Sequence, residues 1–149
     1  MNADTSKIIL TSKLEKELLA ACRSRLPYEA CGIVLAAQSD TEGNEALMKP
    51  DSFAIVRNVS TNPERTFRFS PEEYVAAVYE AQKNQRRLVG FFHSHPTGEP
   101  LPSFEDGQGS LSWGTYWIVG LGKESGPEIA VYRRDEAGDW LPLSLERVP

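Results

Sequence analysis

The sequence predicts one α/β (α+β) domain with two helices and a mixed sheet of six to eight strands. Three observations carry that expectation. Short apolar runs of about five residues recur along the chain, too short for helices and right for strands. Two segments between them carry apolar residues at helical spacing, each opened by a serine with a glutamate three residues on. The order is strand, helix, strands, helix, strands, with no internal repeat and no linker-like stretch, so residues 1–149 read as a single domain.

The elements follow in order. Lys7 to Thr11 is a first strand with Ile8, Ile9 and Leu10 at its centre. Ser12 is the expected cap of a helix over 13–25, with Glu15 completing a capping box. Leu14, Leu18, Leu19, Cys22 and Leu26 mark its buried face, and Pro27 ends it. Residues 30–37 are apolar almost throughout, as a central strand must be. Gln38 to Asp51 is polar and reads as an exposed connection. Ser52 to Ser60 is a third strand, Thr61 to Thr66 a short loop, and Thr66 to Phe69 a strand end. Ser70 with Glu73 forms the second capping box, and Pro71 fits the first helical position. That helix runs to about Gln85, with Tyr74, Val75, Val78, Tyr79 and Gln82 along one side.

Leu88 to Phe92 is a buried strand leading into His93. After Asp106, Gly107 to Trp113 reads as an irregular short helix or its end. Tyr116 to Leu121 is another buried strand, and Glu128 to Arg133 alternates as a half-buried one should. Asp135 to Asp139 turns around Gly138. Trp140 to Leu143 is a last strand, placed at an edge by Pro142, which has no N–H to donate.

Composition narrows the function. Sixteen basic against 21 acidic residues give a net charge of −5, which argues against nucleic acid as a partner. The N-terminus carries no apolar signal segment, and no run approaches the roughly 20 residues needed to span a membrane. A cytoplasmic location is the default. Cys22 and Cys31 form no Cys-x-x-Cys pair, and both read as packing residues rather than as a disulfide.

The chemistry gathers between His93 and Asp106. His93 and His95 alternate along a strand, so their imidazoles share a face. Pro96 ends the strand, and Pro100 and Pro102 stiffen the loop beyond it. Ser103 can cap a turn that brings Asp106 back toward the histidines. Two histidines, one carboxylate and water in the fourth position is a catalytic zinc pattern. Glu29, ahead of the second strand, is the candidate base. Each residue alone has an ordinary explanation: a strand histidine, a helix charge, a surface carboxylate. The combination is what carries weight.

Glu29, then His93-Ser94-His95-Pro96, then Ser103-Phe104-Glu105-Asp106 resembles the signature of the JAMM metalloproteases, the catalytic branch of the MPN domains. No position of that signature is missing. The resemblance spans Glu29 to about Val131, and Asn58 on the third strand, followed by Pro63 and Phe67, also fits it. It implies the MPN fold, a curved mixed sheet flanked by helices and related to the cytidine deaminases. It implies one catalytic zinc held by His93, His95 and Asp106, with Glu29 as general base and Ser103 as donor to the oxyanion.

The expected activity is that of a zinc isopeptidase or peptidase. The connections near the site are compact, like those of the small stand-alone prokaryotic members. Those act on the C-terminal tails of ubiquitin-like sulfur-carrier (β-grasp) proteins, and relatives often form homodimers. The alternative is a non-catalytic MPN scaffold, although scaffolds have usually lost a position that is intact here. A nucleobase deaminase needs His-x-Glu and Pro-Cys-x-x-Cys, and both are absent.

Overall fold

The computed structural model describes residues 6–38, 47–103, 106, 114–122 and 126–149. In chain order the elements are β1 (Lys7–Thr11), α1 (Ser12–Arg23), β2 (Cys31–Ala37), β3 (Leu47–Met48), β4 (Ser52–Val56), α2 (Pro71–Lys83), β5 (Arg86–His95), β6 (Thr115–Gly120), β7 (Glu128–Arg134), β8 (Trp140–Pro142) and β9 (Ser144–Val148). They make a mixed α+β fold of two sheets. The larger has the order β4-β2-β5-β6-β7-β8, the smaller β3-β1-β9. In the larger sheet β5 and β6 run parallel and every other pair antiparallel.

The expected central strand is central: β2 lies between β4 and β5, and Cys31 to Ala36 are buried. On one face of the large sheet Val34, Phe92, Trp117, Val119 and Val131 pack against Leu14, Leu18 and Cys22 of α1 and against Ile8 and Leu10 of β1. On the other face Ile33, Leu35, Phe91 and Tyr116 pack against α2 through Ala81 and the half-buried Tyr74, Ala77 and Val78. The register between β2 and β5 shifts at Val34/Leu35, so Leu35 opposes Leu88 and Val34 opposes Gly90. Val89 is the extra residue of that bulge. It lets Leu88 and Phe91 both serve the α2 face, and from Phe91 onward alternation puts His93 and His95 there too.

Several local expectations are corrected. The cap of α1 is Thr11, whose hydroxyl accepts the Leu14 N–H at 3.1 Å, and Ser12 is already helical. Glu15 instead faces the Arg147 guanidinium at 3.2 Å. Leu26 lies beyond the helix and is exposed, because α1 ends at Arg23. On α2 the buried stripe runs through 74, 77, 78 and 81, which leaves Val75 and Tyr79 63% and 66% exposed. Ser70 caps α2 as expected, accepting the Glu73 N–H at 3.3 Å with Pro71 at the first position.

The connection over 38–51 is not wholly irregular: Leu47 and Met48 pair parallel with β1, and Met48 is buried. The expected strand over 52–60 stops at Val56, and Asn58 makes an isolated bridge to Phe69. Trp140 to Pro142 is an edge strand of the large sheet, as Pro142 requires, but it is not the last strand. Ser144 to Val148 continues as β9 and pairs parallel with β1. The expected irregular helix over 107–113 lies outside the described residues.

Candidate metal centre

The strand that carries the two histidines ends where the sequence places it. β5 runs to His95, with its last three residues beside Ile118, Val119 and Gly120 of β6. Between the histidines, Ser94 points to the opposite face and is buried. Its hydroxyl oxygen accepts the Ala30 N–H at 2.8 Å, and the Ser94 N–H donates to the Ala30 carbonyl at 2.9 Å. These bonds tie the start of β2, and with it Glu29, to the histidine strand. Cys31 pairs directly with His93 across the ladder.

Past His95 the chain folds back over the end of β6. The His95 carbonyl accepts from Leu121 at 3.0 Å, and Gly122 donates to Gly98 at 3.1 Å. Gly120 is needed here, because a Cβ would stand 2.7 Å from the Pro100 ring. The buried Tyr132 hydroxyl donates to the Pro100 carbonyl at 2.8 Å. The loop so fixed presents the Glu99 carbonyl to His95 Nδ1 at 2.9 Å. That contact makes Nδ1 the protonated nitrogen and turns Nε2 toward the site, the usual way a ligating histidine is oriented.

Ser103 and Asp106 then bond reciprocally. The Ser103 N–H donates to Asp106 Oδ2 at 2.8 Å, and the Asp106 N–H donates to Ser103 Oγ at 3.2 Å. The serine oxygen is an acceptor in that pair, so its own O–H is left to donate elsewhere.

Three side chains converge, the histidines meeting different oxygens of the carboxylate. His93 Nε2 lies 2.9 Å from Asp106 Oδ1, His95 Nε2 lies 3.2 Å from Asp106 Oδ2, and the two Nε2 atoms are 3.2 Å apart. Ligands about 2.05 Å from a tetrahedral zinc lie roughly 3.3 Å from one another, so this spacing fits one face of a zinc site. Among the described residues these three form the group of ligand atoms able to hold a metal, all within 4.8 Å.

The electrostatics suit a cation. Burial keeps His93 below its usual range and therefore neutral, the form that ligates. At His95 burial acts the same way, but the Asp106 carboxylate and the Glu99 carbonyl outweigh it and raise the pKa. Burial favours a protonated Asp106, yet the two imidazoles and the Ser103 N–H win and hold its carboxyl well below the usual carboxylate range. Two neighbouring imidazoles and a buried carboxylate form a poised ligand set.

Glu29 is buried, at 5% exposure. Its negative charge is felt at both His95 and Cys31. Its backbone is held on both sides, with its N–H on the Pro63 carbonyl at 2.7 Å and its carbonyl accepting from Asn58 Nδ2 at 3.0 Å. The same Asn58 amide reaches the Thr66 carbonyl at 3.1 Å, while its oxygen accepts from Ser60 and Arg68. Asn58 thus fastens the 60–68 loop to the strand end that carries Glu29.

Two further contributors complete the surroundings, of which only Phe67 is marked in the sequence, by the family resemblance. Phe67 stacks on the His93 ring with centroids 4.5 Å apart and planes 20° apart, closing one side of the site. The Glu99 carbonyl orients His95. Both come from loops whose path depends on tertiary contacts.

The fold and the site together define a class. The chain matches the family of prokaryotic homologues of the JAB domain over residues 11–135, and it belongs to that family. It is 31% identical over 116 residues to a desampylase of Haloferax volcanii, covering 75% of this chain and 78% of that one. It is 36% identical over 64 residues to a desampylase of Pyrococcus furiosus, covering 43% and 45%. A solution structure of a protein from Desulfitobacterium hafniense superposes with a TM-score of 0.80 at 27% identity, over 95% of this chain and 92% of that one.

Proposed function

We propose that this chain is a zinc-dependent peptidase or isopeptidase. In this reading it hydrolyses the amide bond that follows the C-terminal tail of a ubiquitin-like or sulfur-carrier protein. One observation carries the reading: two imidazole nitrogens and a carboxylate meet at 2.9–3.2 Å beside a buried glutamate. Relatives bearing the name desampylase support the choice of substrate class.

His93, His95 and Asp106 would hold the metal. When bound, zinc supplies a concentrated positive charge that acidifies water and polarises a carbonyl. The remaining work falls to the chain's own groups. Glu29 takes a proton from the attacking water and returns it to the departing amine, a leaving group too basic to depart unprotonated. The Ser103 hydroxyl donates to the oxygen that gains charge as the carbonyl becomes tetrahedral, a contact typically worth roughly 10²–10³ in rate. Phe67 and the Glu99 carbonyl hold the two imidazoles in orientation. A cytoplasmic location suits the two free, buried cysteines.

The test is hydrolysis by zinc-loaded protein of a β-grasp carrier whose Gly-Gly end is extended by a short peptide, read by mass spectrometry. Cleavage after the second glycine, abolished by a strong chelator, is expected. A scaffold would bind the carrier and leave it intact. Rapid cleavage of ubiquitin chains with indifference to Gly-Gly carriers would overturn the substrate assignment.

A further inference from the structure

Tyr132 stands on β7, two strands from β5, yet it reaches the loop that serves His95. Its ring is buried and held edge-on by Trp140 of β8, with centroids 6.1 Å apart and planes at 80°. Trp140 is fixed in turn by Tyr116, edge-on at 5.3 Å, and by the Arg134 guanidinium 4.6 Å over its ring. A buried phenol needs a partner for its O–H, and this one takes the Pro100 carbonyl at 2.8 Å. That carbonyl shares a peptide unit with the Leu101 N–H, which donates to the Glu99 carbonyl at 2.8 Å. The Glu99 oxygen is the one that accepts from His95 Nδ1 at 2.9 Å. Three consecutive hydrogen bonds therefore run from β7 to the His95 imidazole through a single peptide plane.

We infer that Tyr132 is a positioning residue: its hydroxyl sets the direction of the Pro100–Leu101 peptide, and through it the orientation in which His95 meets the metal. The inference rests on the zinc reading above. Pro100 is buried and its ring is seated against Gly120, so the proline itself has little room to move. The peptide beyond it is less constrained. Leu101 is 57% exposed, so its side chain gives that peptide little anchorage, and the hydrogen bonds at its two ends do the holding. Removing the hydroxyl leaves a carbonyl among buried groups without its donor, a costly state. Rotation of the peptide toward water relieves it. The same rotation swings the Leu101 N–H away from Glu99 and frees the carbonyl that faces His95. The ring then gains freedom about its side-chain torsions. An imidazole whose far nitrogen is no longer held binds metal less well. Tyr132 acts in this way without touching the metal.

Tyr132→Phe tests this, since it keeps the ring packing and removes one oxygen. It is compared with wild type and with Ser70→Ala, which lowers stability by uncapping α2 and leaves this chain of bonds intact. The first measurement is exchange of the His95 Nδ1–H with solvent, followed by ¹H–¹⁵N NMR in metal-free and zinc-loaded protein. The second is the zinc dissociation constant, from competition with a chromophoric chelator. Tyr132→Phe should exchange several-fold faster in both forms. It should bind zinc roughly tenfold more weakly, the lower end of the usual effect of a group bonded behind a metal ligand. Ser70→Ala should match wild type in both. Wild-type exchange and affinity in Tyr132→Phe would overturn the inference. Weaker zinc binding with unchanged exchange would do the same, because the hydroxyl would then act through stability alone. So would faster exchange with unchanged affinity, which would leave the metal indifferent to the ring's restraint. A wild type that binds no zinc removes the zinc reading, and exchange in the metal-free protein then decides whether Tyr132 positions His95.

Discussion

At the residue scale the assignment of Glu29 is open to a direct test. Glu29→Gln keeps the shape and still hydrogen-bonds water, but an amide is not basic at neutral pH. Zinc content should stay at the wild-type level while turnover drops roughly 10²–10⁴-fold, the usual worth of a general acid–base residue. His95→Ala should behave otherwise, losing zinc and turnover together, because its Nε2 is one of three converging donors. Near-normal turnover in zinc-loaded Glu29→Gln would show that the base lies elsewhere. Cys22 gives a test unrelated to catalysis. Burial pushes its thiol up to about 12, so at pH 8 it is protonated and inaccessible. Alkylation should be slow in the folded protein and rapid in urea, and fast labelling of the native state would contradict the packing of α1.

At the element scale, the strand end that carries Glu29 and the strand that carries the histidines are joined by separate fastenings. Ser94 links them through the sheet. Asn58 links Glu29 to the 60–68 loop, and Phe67 of that loop lies on His93. Asn58→Ala removes five hydrogen bonds at one half-buried point. A cost of about 1–3 kcal/mol in the urea midpoint is expected. Turnover should fall at least tenfold, since small displacements of a catalytic group are costly. Zinc content should hold, because the ligands sit on β5 and beyond. Ser70→Ala is the control: it uncaps α2 at a cost of about 1 kcal/mol and should leave turnover alone. If both variants lost turnover equally, Asn58 would matter only for stability.

Legibility in the sequence follows the same division between local and distant causes. The meeting of His93, His95 and Asp106 is legible because two lie two apart on one strand and the third follows a short Pro-stiffened loop, so local geometry nearly determines their convergence. The β2 and β6 strands were readable from unbroken apolar runs. The pairing of Leu47–Met48 and of Ser144–Val148 with β1 was not. Both strands are short or polar, and their partner lies dozens of residues away, so only tertiary assembly makes them strands. The buried stripe of α2 is hidden in the sequence for a related reason. Tyr79 and Val75 look apolar in sequence, but the sheet surface beneath admits the small Ala77 and Ala81 instead.

For the whole molecule, the proposed centre would tie distant parts of the fold together. Asp106 comes from beyond the 96–103 loop and meets two histidines from β5, so a bound metal cross-links the loop to the middle of the large sheet. Contacts of 2.9–3.2 Å join the three groups to one another, and the Glu99 carbonyl, the Ser103 N–H and the Phe67 ring hold them from outside. A ligand that binds only the folded state adds about 2.7 kcal/mol when its concentration is 100 times Kd. For a chain of 149 residues each kcal/mol moves Tm by roughly 2–4 °C or slightly more. Zinc added to chelator-treated protein should therefore raise Tm by about 5–10 °C. Glu29→Gln should show the same rise, because the glutamate is assigned to proton transfer. His95→Ala and Asp106→Ala should show little or none. Scanning calorimetry of the four proteins with and without zinc gives the comparison. A rise in wild type that persists in both ligand variants would move the metal to some other site. A rise lost in Glu29→Gln would make that residue a ligand, and the division of labour between base and metal would have to be redrawn.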